Sequence, residues 1–378
     1  MQPAIRLYLS FFACALMLGS WYPRIPDVQE AAGLEGLALG LALSGYPVGI
    51  LLLFTFGTRL ASRMTFTASF RMVVPALGLA LIGAVLAPNA PLLFCALLAA
   101  GALQGVLAIT GNVEADRMEA AAGKSFLVRA HGFYSLATVL AGTLGIGFRA
   151  WDVPPWLHLG AMLPAATLLV LAATRGMLPT PGEVEASTGP DRIVRPTAAI
   201  IVLFLAGGAS LYLDNAASDW SGILLRDGYG AGTVFVTVTV AIWALGQAAG
   251  RIAYPNLAAI TGNSGLALIM TGSAMAGLVL VVLSQSPLLA VAGLLLMGFG
   301  TSALFPMAIS AAARLADRSS AANVASISQL AFLAGIATPI VLGGLVQVGG
   351  IRLAFASGAV LLAISMAVLL MRRPFDEV

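Results

Sequence analysis

The chain has 378 residues, of which 60% are hydrophobic and only 9% are Asp, Glu, Lys or Arg, for a net charge of +3. A soluble domain carries about 25% charged residues, so this composition, with a mean hydropathy of +0.97, excludes a soluble enzyme and a disordered protein. The basic residues are scattered along the chain, which excludes a nucleic-acid partner.

A helix needs about 20 apolar residues to cross a bilayer. Twelve apolar segments follow one another: 4–23, 37–57, 72–87, 91–112, 131–149, 156–174, 197–216, 232–254, 265–284, 287–311, 323–346 and 353–371. They are unbroken rather than alternating, which predicts helices and not an outer-membrane barrel. The expected fold is all-α and integral to the membrane, with twelve transmembrane helices in two pseudo-symmetric six-helix bundles. The first segment reads as the first of these helices rather than as a cleaved signal.

Charge orients the chain. With the N-terminus in the cytoplasm, 15 basic residues fall inside: Arg6, Arg59, Arg63, Arg71, Arg117, Lys124, Arg129, Arg175, Arg192, Arg195, Arg251, Arg314, Arg318, Arg372 and Arg373. Only Arg24, Arg149, Arg226 and Arg352 fall outside. This asymmetry predicts a bacterial inner-membrane protein with both termini cytoplasmic. The polar stretch Arg175 to Pro196, rich in Pro and Gly, reads as a cytoplasmic linker. It divides the chain into an N-terminal bundle, 1–174, a linker, 175–196, and a C-terminal bundle, 197–378. An internal echo fits a duplication: Trp21 is followed by Gly45-Tyr-Pro-Val-Gly49 and Arg59, and Trp220 by Gly246-Gln-Ala-Ala-Gly250 and Arg251.

Few residues offer chemistry. Cys14 and Cys95 lie inside apolar runs, which argues against a disulfide or a Cys-based metal site. Gly123-Lys124-Ser125 ends like a phosphate loop, but Met118 stands where that loop needs Gly. With no nucleotide motif, nucleophilic cluster or metal spacing, the expectation is neither an enzyme nor a cofactor protein, and any pumping draws on an ion gradient.

Ionisable groups at membrane depth are costly and mark function. Asp214 lies 17 residues after Thr197, about 26 Å along a helix. It reads as a proton- or substrate-binding carboxylate, or as a helix-end group in wet headgroups. Asp219 sits further out, as a second proton-site candidate or a cap. Arg24 reaches the same height as Asp214 and reads as a cavity or gate cation paired with it, or as an interfacial arginine.

Gln104 lies about 20 Å into its segment and shares a face with Ala108 and Gly111, with Asn112 beside it. Either amide would serve a solute hydroxyl or a helix–helix hydrogen bond. Glu114, Asp116 and Glu119 read as a solvated inner loop. His131, Tyr134, Ser135 and Thr138 form a polar stripe at i, i+3, i+4 and i+7. Gln329 is a further amide of the same kind. Trp21 and Trp220 fit an aromatic belt or a stacking surface for a sugar-like solute. The Gly and Pro residues of segments 10 and 11, among them Gly298, Gly300 and Pro339, serve bending or close packing.

Two six-segment halves joined by a linker resemble the major facilitator superfamily. Gly57-Thr-Arg-Leu-Ala-Ser-Arg63 matches that family's loop between helices 2 and 3, although Ser62 stands in place of Asp and the second Gly is absent. The resemblance assigns Arg59 and Arg63 to a conformational latch. Gly19-Ser-Trp21-Tyr-Pro-Arg24-Ile-Pro26, Asn112-Val-Glu114, His131-Gly-Phe-Tyr-Ser135 and Asp214-Asn-Ala-Ala-Ser-Asp219-Trp220-Ser221 are similar to a bacterial permease branch related to fucose-permease-like carriers.

The resemblance implies a secondary active transporter that moves a small organic solute by alternating access, coupled to protons. It would act as a monomer, with lipid around it and helices 1, 4, 7 and 10 lining a cavity. The rivals are a drug or metabolite efflux antiporter and a non-transporting sensor or scaffold. Drug antiporters of the family carry an Arg before the Gln-Gly pair of helix 4, and here Gly101 occupies that position before Gln104-Gly105. The sensor would need soluble domains or long tails.

Overall fold

The hydrocarbon of a bilayer satisfies no peptide N–H or C=O, so a long apolar segment must bond its backbone within itself, as a helix. The computed structural model describes residues 2–57, 61, 63–122, 126–177 and 194–376. Among the described residues, ten helical runs are long and apolar enough to cross a membrane. Two of these contain a break. Thr233–Leu283 is interrupted at Gly262, with φ 69°, and Ser320–Arg372 at Gly350, with φ 81°. Only glycine adopts such a left-handed backbone without strain.

The twelve membrane helices are α1 (Pro3–Ala31), α2 (Gly36–Gly57), α3 (Phe66–Val85), α4 (Ala90–Ala122), α5 (Leu127–Ala150), α6 (Pro155–Thr174), α7 (Ala198–Gly228), α8 (233–261), α9 (263–283), α10 (Pro287–Arg314), α11 (320–349) and α12 (351–372). The chain divides into two compact units, Met1–Ser187 and Thr188–Val378, with six helices in each.

Helices α1, α4 and α7 run furthest past their sequence limits. Tyr22–Arg24 form one 3-10 turn, and the helix resumes at Ile25 and runs to Ala31. Pro23 and Pro26 therefore do not end it, because each occupies the first turn of its new element, where no N–H is needed. Helix α4 extends past Asn112 to Ala122. Helix α7 extends to Gly228 through two π-helical turns, Ala216–Trp220 and Leu224–Gly228. Thr65, Thr197 and Ser319 cap α3, α7 and α11, their hydroxyls accepting from Ala68, Ile200 and Ala322 N–H.

The two units repeat one packing scheme. In the first, α1 packs on α5 and α6, α2 on α4, and α3 on α4 and α6; in the second, α7 packs on α11 and α12, α8 and α9 on α10, and α9 on α12. Glycine permits the closest approaches. A Cβ on Gly45 or Gly49 would strike the carbonyls of Phe94 or Leu98 on α4. A Cβ on Gly246 or Gly250 would strike those of Leu295 or Phe299 on α10. The paired small residues read as a duplication thus press the same helix pair together in each unit. Gly101 lies under the Tyr46 carbonyl, Gly298 under that of Trp243, and Gly300 against Ala274 N and Met270 O. Gly298 and Gly300 therefore serve close packing. The Gly101 position has no room for the arginine that antiporters carry there.

Gly101→Ala should destabilise the purified protein by about 1–3 kcal/mol through overpacking. Gly83→Ala, whose added Cβ would meet only Ala96 Cβ at 4.0 Å, should leave stability unchanged. Thermal unfolding in detergent compares the two, and equal midpoints would refute the packing role.

Candidate functional site

Helix α7 turns π-helical where it carries its carboxylates. Asp214 precedes the π turn Ala216–Trp220, and Asp219 lies within it. A π turn leaves helix carbonyls off register, a feature frequent at functional sites. Asp214 is half-buried, and three donors from two other helices converge on its Oδ1. Thr301 Oγ1 of α10 donates at 2.6 Å, Gln247 Nε2 of α8 at 2.7 Å and Trp243 Nε1 of α8 at 3.3 Å. Gln247 Nε2 also donates to Thr301 Oγ1 at 3.0 Å, and Arg251 Nη2 donates to Gln247 Oε1 at 2.9 Å. Gln247 and Thr301 are 3% and 2% exposed, so this hydrogen bonding is part of the interior. Oδ2 accepts no hydrogen bond among the described residues.

The sequence singled out Asp214 but not Thr301, Gln247, Trp243 or Arg251. A signal was present on α8: Trp243, Gln247 and Arg251 are spaced i, i+4 and i+8, a polar face on an apolar helix. Thr301 carried none, since a lone hydroxyl in a helix usually bonds its own backbone. Asp219 is half-buried and accepts from Ser218 Oγ at 2.9 Å.

Arg24 is 3% exposed and finds its partners in its own unit. It donates to Asp27 Oδ2 at 3.1 Å, His158 Nδ1 at 3.1 Å and Val153 O at 3.0 Å. Arg149 bonds the other oxygen of Asp27 at 2.6 Å and donates to Pro23 O at 3.0 Å. His158 stacks on Phe148 with ring centroids 4.4 Å apart. Asp27 stands three residues past Arg24, within reach on one helix face.

The remaining candidates scatter. Gln104 Oε1 accepts from the Cys14 thiol at 3.1 Å, joining α4 to α1, and its side chain is half-buried. Asn112 is exposed. Tyr134 is half-buried beside His131, which lies edge-on to Phe11 at 5.5 Å. Ser135 and Thr138 donate to the His131 and Tyr134 carbonyls of their own helix. Gln329 is half-buried without a side-chain hydrogen bond among the described residues.

Trp21 and Trp220 are 4% and 0% exposed, so they form neither an aromatic belt nor a stacking surface for a solute. Trp220 Nε1 is buried without a partner among the described residues. Glu114 corrects the solvated-loop expectation: it is 4% exposed inside α4 and clamped by Arg117 at 2.6 and 3.1 Å. Glu119 Oε1 accepts from the Phe126 and Leu127 N–H groups and so caps α5. Arg63 is exposed in a turn. Arg59, Ser62, Lys124 and linker residues 178–193 lie outside the described residues.

Asp27→Asn should cost about 1.5–3 kcal/mol, since it weakens charged hydrogen bonds to two arginines. Glu35→Gln, at an exposed position, should be neutral. Differential scanning calorimetry of the two variants checks this, and a silent Asp27→Asn would refute the buried cluster.

No protein-family model matches the chain. It is 27% identical over 374 residues to an uncharacterized MFS-type transporter of Yersinia pestis, covering 94% of this chain and 91% of the relative. A crystal structure of a variant of the nucleoside transporter NupG superposes with a TM-score of 0.76 at 13% identity, covering 100% of this chain and 99% of that one. The E. coli fucose:proton symporter FucP matches with a TM-score of 0.58 at 16% identity, covering 98% of each chain. The structural likeness shows the twelve-helix major facilitator fold.

Proposed function

We propose that this chain, a membrane transporter of the major facilitator type, is a secondary active carrier that moves a small organic solute by alternating access and takes up its coupling proton at Asp214. The observation that carries the reading is the one-sided hydrogen bonding of that carboxylate. Three donors favour the ionised form at Oδ1. Oδ2 is left as the oxygen to which a proton adds.

The ionised group ties α7 to α8 and α10. Protonation removes its charge, weakens those charge-assisted bonds and loosens α7 from both helices. A proton therefore biases the equilibrium between conformations, which is the requirement for coupling. The likeness to a protein named a fucose:proton symporter supports this reading. Asp219, in the adjoining π turn, is the second carboxylate of the same path. Gln104, Tyr134 and Gln329 are half-buried polar groups on α4, α5 and α11, and we assign them to the solute. Drug efflux by the family's antiport relay is disfavoured, because the Gly101 position accommodates no arginine.

The chain acts as a monomer in a bacterial inner membrane, with both termini and the linker cytoplasmic. The charge asymmetry of the sequence supports that orientation. Reporter fusions at Glu183 and Val378 should both read as cytoplasmic, and an outside signal at either would reverse the topology.

A thermal-shift screen against sugars, organic acids and drugs identifies a stabilising solute. With that solute in proteoliposomes, Asp214→Asn should abolish accumulation driven by a pH gradient and leave solute exchange intact. Wild-type pH dependence in the variant would remove Asp214 from the mechanism.

A further inference from the structure

Gln247 stands between a cation and an anion. Its Oε1 accepts from Arg251 Nη2 at 2.9 Å, and its Nε2 donates to Asp214 Oδ1 at 2.7 Å and to Thr301 Oγ1 at 3.0 Å. The two ends of a side-chain amide have nearly the same shape and opposite hydrogen-bonding character. Turned the other way, the amide would set Oε1 against the Asp214 carboxylate, oxygen facing oxygen. A protonated Asp214, its carboxyl turned so that the O–H faces the carbonyl, accepts that arrangement; an ionised one does not. A guanidinium has donors and no acceptor, so it bonds Oε1 and never Nε2. Arg251 thereby selects the amide orientation that suits the ionised carboxylate.

We propose that Arg251 is a positioning residue for the proton site: by holding Gln247 Oε1 it keeps both amide N–H groups turned toward Asp214 and Thr301, and so lowers the affinity of Asp214 for its proton. The inference rests on the reading of Asp214 as the proton site. The other charged and titratable groups on the surrounding helices are Asp219, bonded to Ser218; Tyr212, bonded to Ser357; Arg226 and Asp227, paired with each other; Tyr254 on α8; Arg314 and Arg372 at the ends of α10 and α12; and Arg352 near the start of α12, bonded to Gly228, Val282 and Ser284 carbonyls. Helix α9 contributes none.

The test needs no solute. The full chain in vesicles is titrated by infrared spectroscopy, following the C=O stretch of a protonated carboxyl that Asp214→Asn removes. Arg251→Met should raise the midpoint by about one pH unit, a tenfold gain in proton affinity. Gln247→Leu should raise it as well, and Arg251→Met should raise it by less in the Gln247→Leu background than in the wild type. Arg251→Lys, which keeps a cationic donor, should return the midpoint most of the way to wild type. If Arg251→Met does not reconstitute, Arg251→Gln replaces it and is judged on the same midpoint. An unmoved midpoint, or shifts that simply add in the double variant, would overturn the route through Gln247. A titrating band that survives Asp214→Asn would instead overturn Asp214 as the proton site, so the two failures are distinguishable.

Discussion

A bilayer interior offers no hydrogen bond to any group placed in it. That constraint makes the segments helical, and it also governs their side chains. Most hydroxyls in the spans bond back to their own helix, as Ser20 does to the Leu16 carbonyl, Thr167 to Leu163 and Thr338 to Ala334. Polar bonds between helices among the described residues include Ser69 to Thr110, Ser365 to the Ala206 carbonyl, and Tyr212 to Ser357 and the Ala354 carbonyl. The Asp214 arrangement adds a charge to such a contact and draws on three helices at once, as the Arg24, Asp27, Arg149 and His158 cluster does in the first unit.

The same constraint explains the arginines that stand against the charge asymmetry. Arg24 and Arg149 share Asp27, Arg226 pairs with Asp227, and Arg352 bonds the Gly228, Val282 and Ser284 carbonyls while lying 4.2 Å over the Tyr229 ring. Arg24, Arg149 and Arg352 each hold a structural position rather than a mobile surface charge. Two of them repeat one device: Arg149, at the end of α5, reaches the Pro23 carbonyl of α1, and Arg352, just after α11, reaches the Gly228 carbonyl of α7. The duplication is thus preserved in how helix ends are tied as well as in the glycine contacts along their length, although the residues involved differ.

The units differ in how their first and fourth helices are joined. In the first, the cluster of Arg24, Asp27, Arg149 and His158 gathers at the helix ends, and inside the helices the joint between α1 and α4 is the neutral pair Cys14 and Gln104. In the second, the corresponding α7 and α10 are joined through Asp214 and Thr301. A bond to an ionised group is about twice as strong as a neutral one, and it changes with a proton. On the function proposed above, the second unit holds the joint that responds to protonation.

Composition and apolar runs were enough to set the number of helices and to place a carboxylate, Asp214, within a span, because a hydrophobic span and a charge within it are properties of single segments. The glycine pairs were legible as spacing, and the space they fill was not. Partners depend on which helix faces which. Asp214 to Thr301 spans 87 residues and Arg24 to His158 spans 134, and nothing local in either segment announces the other. The same limit misread Trp21, Trp220 and Glu114. A sequence gives depth along a helix, whereas the side on which a residue lies, and so whether it meets lipid, solute or another helix, is settled only when the helices pack.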